Sequence, residues 1–90
     1  MDKIRKHFVF SGAVQGVGFR YRARYLAQTW GLTGWVRNTW DDRVELELQG
    51  AEAAIEQFLA DLYRQPFLEI DSVEVETMTL EDERGFHIRD

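Results

Sequence analysis

The sequence predicts an α+β fold, a split βαβ sandwich in which an antiparallel sheet carries two helices on one face. Three observations lead there. The hydrophobic period switches between 2 and 3.6 along the chain, giving the order β-α-β-β-α-β plus a short fifth strand. One segment alternates cleanly, so its sheet has one apolar face and one wet face. Ninety residues leave room for one core and no second lobe, so a single domain over 1–90 is expected.

Positions 7–14 (His7-Phe8-Val9-Phe10-Ser11-Gly12-Ala13-Val14) are rich in β-branched and aromatic residues and read as the first strand. Gly12 suggests that another backbone or a ligand passes close to its end. From Phe19 the period changes: Phe19, Ala23, Leu26, Ala27 and Trp30 share one face of a helix, and Gly31 stops it.

A second strand spans 33–39 and a third 43–49. In the third, Val44, Leu46 and Leu48 face the core while Glu45 and Glu47 face water. The link Trp40-Asp41-Asp42 makes the pair a hairpin. It lacks Asn-Gly or Asp-Gly, so a loop longer than a two-residue turn is expected. Gly50 precedes a second helix with Ile55, Phe58, Leu59 and Leu62 on its buried stripe, and Pro66 helps end it. A fourth strand lies near 72–80. Its inward set changes parity from Val73 and Val75 to Met78 and Leu80, which predicts a bulge around 76–77. Phe86 and Ile88 mark the short fifth strand after a turn at Gly85. This is the ferredoxin-like arrangement, which hosts many unrelated activities, so function has to be argued from a site.

Composition excludes several classes. Without cysteine there is no disulfide, thiolate or cysteine-zinc chemistry. A net charge of −5 argues against a general nucleic-acid binder. The N-terminus lacks the apolar run of a signal peptide, and no stretch has transmembrane length, so a cytoplasmic protein without membrane association is expected. An acidic surface and a short edge strand make a monomer the default.

The segment that can carry chemistry is Val14-Gln15-Gly16-Val17-Gly18-Phe19-Arg20, between the first strand and the first helix. Its two glycines allow successive backbone N–H groups to turn inward as an anion-binding nest, and the helix start adds unpaired N–H groups and a positive dipole end. A tight turn alone explains two glycines equally well. No Gly-Lys-Ser/Thr follows, so this is not a Walker loop. Tyr21 stands where a dinucleotide fingerprint starting at Gly16 would need its third glycine.

Charge placement adds weight. The second helix has Glu52 and Glu56 early and Arg64 at its end, as the helix dipole favours. The first helix instead crowds Arg20, Arg22 and Arg24 into its first turns. Exposed cations there cost about 0.3–1 kcal/mol each, a sign that a bound anion would reverse. Arg20 is best placed to grip a phosphate through two parallel hydrogen bonds, while Arg22 and Arg24 read as solvated. Asn38, late in the second strand, has an amide that can donate and accept and so could hold a water; turn formation is its commoner role.

His7 and His87 have no patterned partners for a metal, so neither metal nor cofactor is expected. Ser11 and Ser72 lack the setting of an activated nucleophile. Asp41 and Asp42 read as hairpin residues, and the three tryptophans as packing residues, with Trp40 exposed at the hairpin tip.

At these residues the sequence resembles the acylphosphatase family. Gly12-Ala13-Val14-Gln15-Gly16-Val17-Gly18-Phe19-Arg20 is similar to its phosphate-loop signature, and Gly31-Leu32-Thr33-Gly34-Trp35-Val36-Arg37-Asn38 to its second signature. The resemblance extends to the closing Gly85-Phe86-His87-Ile88. It implies hydrolysis of the carboxyl–phosphate anhydride of acyl phosphates such as acetyl phosphate, carbamoyl phosphate or 1,3-bisphosphoglycerate, without metal or phosphoenzyme. It also implies that Arg20 and the N–H groups of Gln15, Gly16, Val17, Gly18 and Phe19 bind the phosphoryl group, a place that inorganic phosphate or sulfate would also fit, while Asn38 positions the attacking water. Arg22 departs from an often uncharged position, and Asp42 from a glycine common in the hairpin.

Two other readings are weighed against the hydrolase. One is a non-hydrolytic module of the same fold that binds acyl phosphate or a partner, as domains fused into hydrogenase maturation factors resemble this chain; a length of one domain favours the enzyme. The other is an RNA-binding sheet, which would need exposed aromatics on a basic surface. Glu45 and Glu47 on the outer face count against it.

Overall fold

Phe8 and Phe10 point inward and His7 and Val9 outward, and this alternation builds the central strand β1, Lys3–Ala13, in a computed structural model that describes residues 2–89. The elements that follow are α1 (Phe19–Thr29), β2 (Thr33–Asn38), β3 (Val44–Ala51), α2 (Glu52–Tyr63), β4 (Glu69–Met78) and β5 (Phe86–Arg89). The sheet order is β4-β1-β3-β2-β5. On one face, Phe8, Phe10, Val36, Leu46 and Leu48 meet Phe19, Ala23, Leu26 and Ala27 of α1 and Ile55, Phe58 and Leu62 of α2, all buried. Each fully buried Val, Leu, Ile or Phe among them contributes roughly 1.5–3 kcal/mol, and each alanine methyl less. Among the described residues no helix is long and apolar enough to cross a membrane.

The predicted element order stands, with corrections in detail. The sheet is mixed, not wholly antiparallel: β5 pairs parallel with β2, while the other pairings are antiparallel. The cause is topological. β4 runs against β1 and β2, and the chain reverses once more before β5. β1 begins four residues earlier than position 7, because its charged start has partners on the outer face.

The bulge is not at 76–77, where Glu76 and Thr77 stay in register with His7 and Lys6. It lies at Asp71, where the partners of Ser11 and Gly12 jump from Ser72 to Ile70. There Gly12 has φ 128°, and a Cβ on it would stand 2.2 Å from the Glu69 carbonyl oxygen. The close approach expected at Gly12 is therefore to a neighbouring strand. Val75 is 53% exposed because β4 is an edge strand that the helices leave partly uncovered, which is why the parity of its apolar residues misleads.

Two more residues differ from expectation. Trp30 closes α1 at the surface instead of completing its buried stripe, and its indole N–H donates to Asp61 Oδ2 at 2.8 Å, tying α1 to α2. Glu47 does not face water, being 6% exposed. The segment 79–85 crosses the sheet's outer face from β4 towards β5, pinned by Gln49 Nε2 donating to the Glu81 carbonyl (2.8 Å) and Glu81 N–H donating to Gln49 Oε1 (2.9 Å). Beneath it the fully buried Arg5 donates to Glu47 at 2.7 Å and to Glu83 at 2.5 Å. His7 Nδ1 lies 2.6 Å from Glu47, and Arg89 sits 4.6 Å over the Trp35 ring.

Candidate active site

β1 delivers the chain to the loop 14–18, and the backbone there does what the two glycines permit. Gly16 and Gly18 adopt φ 74° and 80°, left-handed values that side-chain-bearing residues reach only at a cost. A Cβ at either would meet nothing within 4 Å. The glycines are thus required by backbone shape and not by crowding. Gly18 is the N-cap of α1; it offers no side-chain cap, and the first turn holds no acidic residue. Within the helix itself the first N–H groups of α1 consequently have neither a side-chain oxygen cap nor a first-turn carboxylate to offset their partial positive charge. Phe19 anchors this end of the helix, its buried ring 5.4 Å from that of Phe10.

Val14, Gly16, Gly18, Phe19, Arg20, Tyr21 and Asn38 enclose a cavity of about 210 Å³. The fold thus brings Arg20, from the first turn of α1, to the same hollow as Asn38, the last residue of β2, although 17 positions of sequence lie between them. Both side chains are half-buried. Among the described residues no carboxylate or imidazole lines the cavity, and the polar side chains they contribute are a guanidinium, an amide and a phenol.

Of the other expected anion-binding residues, Gly16, Gly18 and Phe19 line the hollow, whereas Gln15 and Val17 do not. The Gln15 amide points the other way, donating from Nε2 to the carbonyls of Thr39 (2.9 Å) and Arg43 (2.8 Å). It laces the loop to the β2–β3 hairpin. That hairpin is itself braced: Thr39 N–H donates to the Arg43 carbonyl at 2.8 Å, Arg43 N–H donates to Thr39 Oγ1 at 3.0 Å, and Arg43 Nε donates to Asp41 at 2.9 Å. The Thr39 hydroxyl and Arg43 hold the Asp41 carboxyl below its ordinary value. Trp40 is 95% exposed at the tip, as expected. Sequence reasoning placed Val14 in the candidate segment without giving it a role, and missed Tyr21 as a lining residue and the brace made by Gln15.

Outside the cavity, Arg22 and Arg24 are not simply solvated: each guanidinium stacks near a tyrosine, Arg22 at 5.7 Å from Tyr25 and Arg24 at 5.6 Å from Tyr21. His7 belongs to the outer-face network, and His87 Nε2 lies 2.7 Å from the Arg84 carbonyl.

Fold and site together define an α+β sandwich with a two-glycine loop at a helix start and an arginine and an amide at the hollow beside it. The comparisons with known proteins narrow this class. The family described as Acylphosphatase matches residues 6–88, and the chain belongs to the acylphosphatase family. It is 44% identical over 89 residues to an acylphosphatase of Bifidobacterium longum, covering 96% of this chain and 92% of that one. The acylphosphatase crystal structure from Bacillus subtilis superposes with a TM-score of 0.90 at 34% identity, covering 97% of this chain and 99% of the other. Full-length HypF in its phosphate- and nucleotide-bound form gives a TM-score of 0.92 at 28% identity, but this chain corresponds to only 12% of that one.

Proposed function

We propose that this protein is an acylphosphatase that hydrolyses the carboxyl–phosphate anhydride of small acyl phosphates by direct attack of water, as a cytoplasmic monomer. The observation that carries the reading is the convergence of Arg20, Asn38 and the uncapped start of α1 on one hollow, in a chain of this family. The backbone N–H groups of the loop residues that line the hollow, Gly16, Gly18 and Phe19, and the Arg20 guanidinium hold the phosphoryl oxygens, and inorganic phosphate or sulfate can occupy the same place. The Asn38 amide orients the water, accepting one of its hydrogens at Oδ1.

The water oxygen forms a bond to phosphorus as the bond to the acyl oxygen breaks, and the carboxylate departs with the electron pair. Charge spread over the phosphoryl oxygens is met by donors already in place, so positioning and electrostatics supply the catalysis. The proton of the attacking water passes to a phosphoryl oxygen of the substrate, the acceptor nearest to it; among the described residues lining the cavity none is a carboxylate or imidazole. Acetyl phosphate, carbamoyl phosphate and 1,3-bisphosphoglycerate all carry the reacting group.

Turnover of benzoyl phosphate by purified protein with EDTA present tests the reading, and absence of turnover above a heat-killed control would sink it. Arg20→Ala is expected to raise KM and lower kcat, and Asn38→Ala to lower chiefly kcat, each by about 10²-fold or more. Full activity in Arg20→Ala would overturn the site assignment. Phosphate that raises Tm without any turnover would point instead to a binding module of the same fold.

A further inference from the structure

A second hollow, of about 310 Å³, lies beside the first and is enclosed by Val17, Gly18, Tyr21, Arg22, Tyr25 and Phe67. Gly18 and Tyr21 line both hollows, so the two meet at a common wall. The second is an aromatic groove open to water: Tyr21 is 64%, Tyr25 60% and Phe67 42% exposed. Phe67 is the one exposed phenylalanine, since Phe8, Phe10, Phe19, Phe58 and Phe86 are all buried. The Arg22 guanidinium, 5.7 Å from the Tyr25 ring centre, restrains that ring in place.

We propose that this groove receives the acyl group of the substrate and selects planar aromatic acyl phosphates over acetyl phosphate. The proposal rests on the hydrolase reading. A phosphoryl group seated in the first cavity directs its acyl oxygen outward, and the groove adjoins that cavity through Gly18 and Tyr21. An acetyl group places only a methyl beyond the anhydride and leaves the rings in water. An aryl group extends far enough to stack on them, removing apolar surface on both sides and gaining ring–ring contact. A carboxylate-bearing acyl group would engage Arg22 alone among the lining residues, so the aryl class is the one the groove fits.

The test is the ratio of kcat/KM for benzoyl phosphate to that for acetyl phosphate in the unmodified protein, Tyr25→Ala, Phe67→Ala and Tyr25→Phe. Because both substrates are measured on the same preparation, partial loss of folded protein cancels from the ratio. Each alanine variant is expected to lower it roughly fivefold, mainly by raising KM for benzoyl phosphate, while Tyr25→Phe keeps the stacking face and the ratio. A ratio unchanged in both alanine variants, with both substrates still turned over, would overturn the groove's role. Failure of the unmodified protein to hydrolyse either substrate is a different result, and overturns the hydrolase reading beneath it.

Discussion

Asp42 holds its backbone at φ 66°, the one non-glycine residue in left-handed conformation among those described. An aspartate tolerates this region better than most residues, yet the Cβ still crowds the following carbonyl, at roughly 1 kcal/mol. Asp42→Gly should therefore raise stability by about 0.5–1 kcal/mol, read as a higher urea midpoint at unchanged m-value. Gln15 predicts the opposite. Its amide satisfies carbonyls 24 and 28 positions away, and no local pattern could announce partners so distant. Gln15→Ala removes both bonds and frees the loop from the hairpin that carries Asn38. Expected are a loss of about 1–2 kcal/mol in stability and a fall in kcat of roughly tenfold, since misplacing a positioning group is enough to slow the reaction. An alanine variant with native kcat would show that the loop holds its shape without the hairpin.

The join between β1 and α1 is where one element's end becomes another's beginning, and it depends on Gly18 as the N-cap at φ 80°. Gly18→Ala puts a Cβ into open space, so any penalty is conformational, about 1–2 kcal/mol. Relaxation of that strain would turn the N–H groups away from the hollow, so the rise in Tm that phosphate gives the unmodified protein should shrink or vanish in the variant. This loop and both helices were legible in the sequence because glycine demand and a 3.6-residue apolar period are local signals. The hairpin of β2 and β3 was legible for a similar reason, the alternation of Val44, Leu46 and Leu48 with polar residues. The parallel pairing of β5, the bulge at Asp71 and the early start of β1 were not. Each is set by which strand lies alongside, and edge strands carry too little buried surface to write that into their pattern. In the site, Arg20 had a physical case in the sequence, a cation against the dipole; Asn38 had none beyond its resemblance, because its meaning comes from facing α1 across the hollow.

At the scale of the whole molecule, one face of the sheet is covered by helices and one end of the other by charge. The 79–85 crossover closes over Arg5, Glu47 and Gln49, so the outer face at that end is an ion network and not a wet surface. Burial by itself would raise the Glu47 carboxyl, but hydrogen bonds from His7 and Arg5 outweigh it and hold the group below its ordinary value of 4.5. A carboxyl whose proton affinity is lowered by folding stabilises the folded state above its unfolded value. That contribution is lost as pH falls below 4.5 and through the lowered folded value. Urea midpoints measured from pH 7 to pH 2 should accordingly fall on the acid side, and less steeply in Glu47→Gln. The same variant should already be weaker at pH 7, by about 1–3 kcal/mol, because Arg5 then keeps Glu83 but loses the charge on its closest β3 partner. If Glu47→Gln kept the full acid slope, the loss would have to arise from other carboxylates, Asp41 among them, whose carboxyl is also lowered. The network would then serve to hold the crossover, and through it β5, without setting how the fold responds to acid.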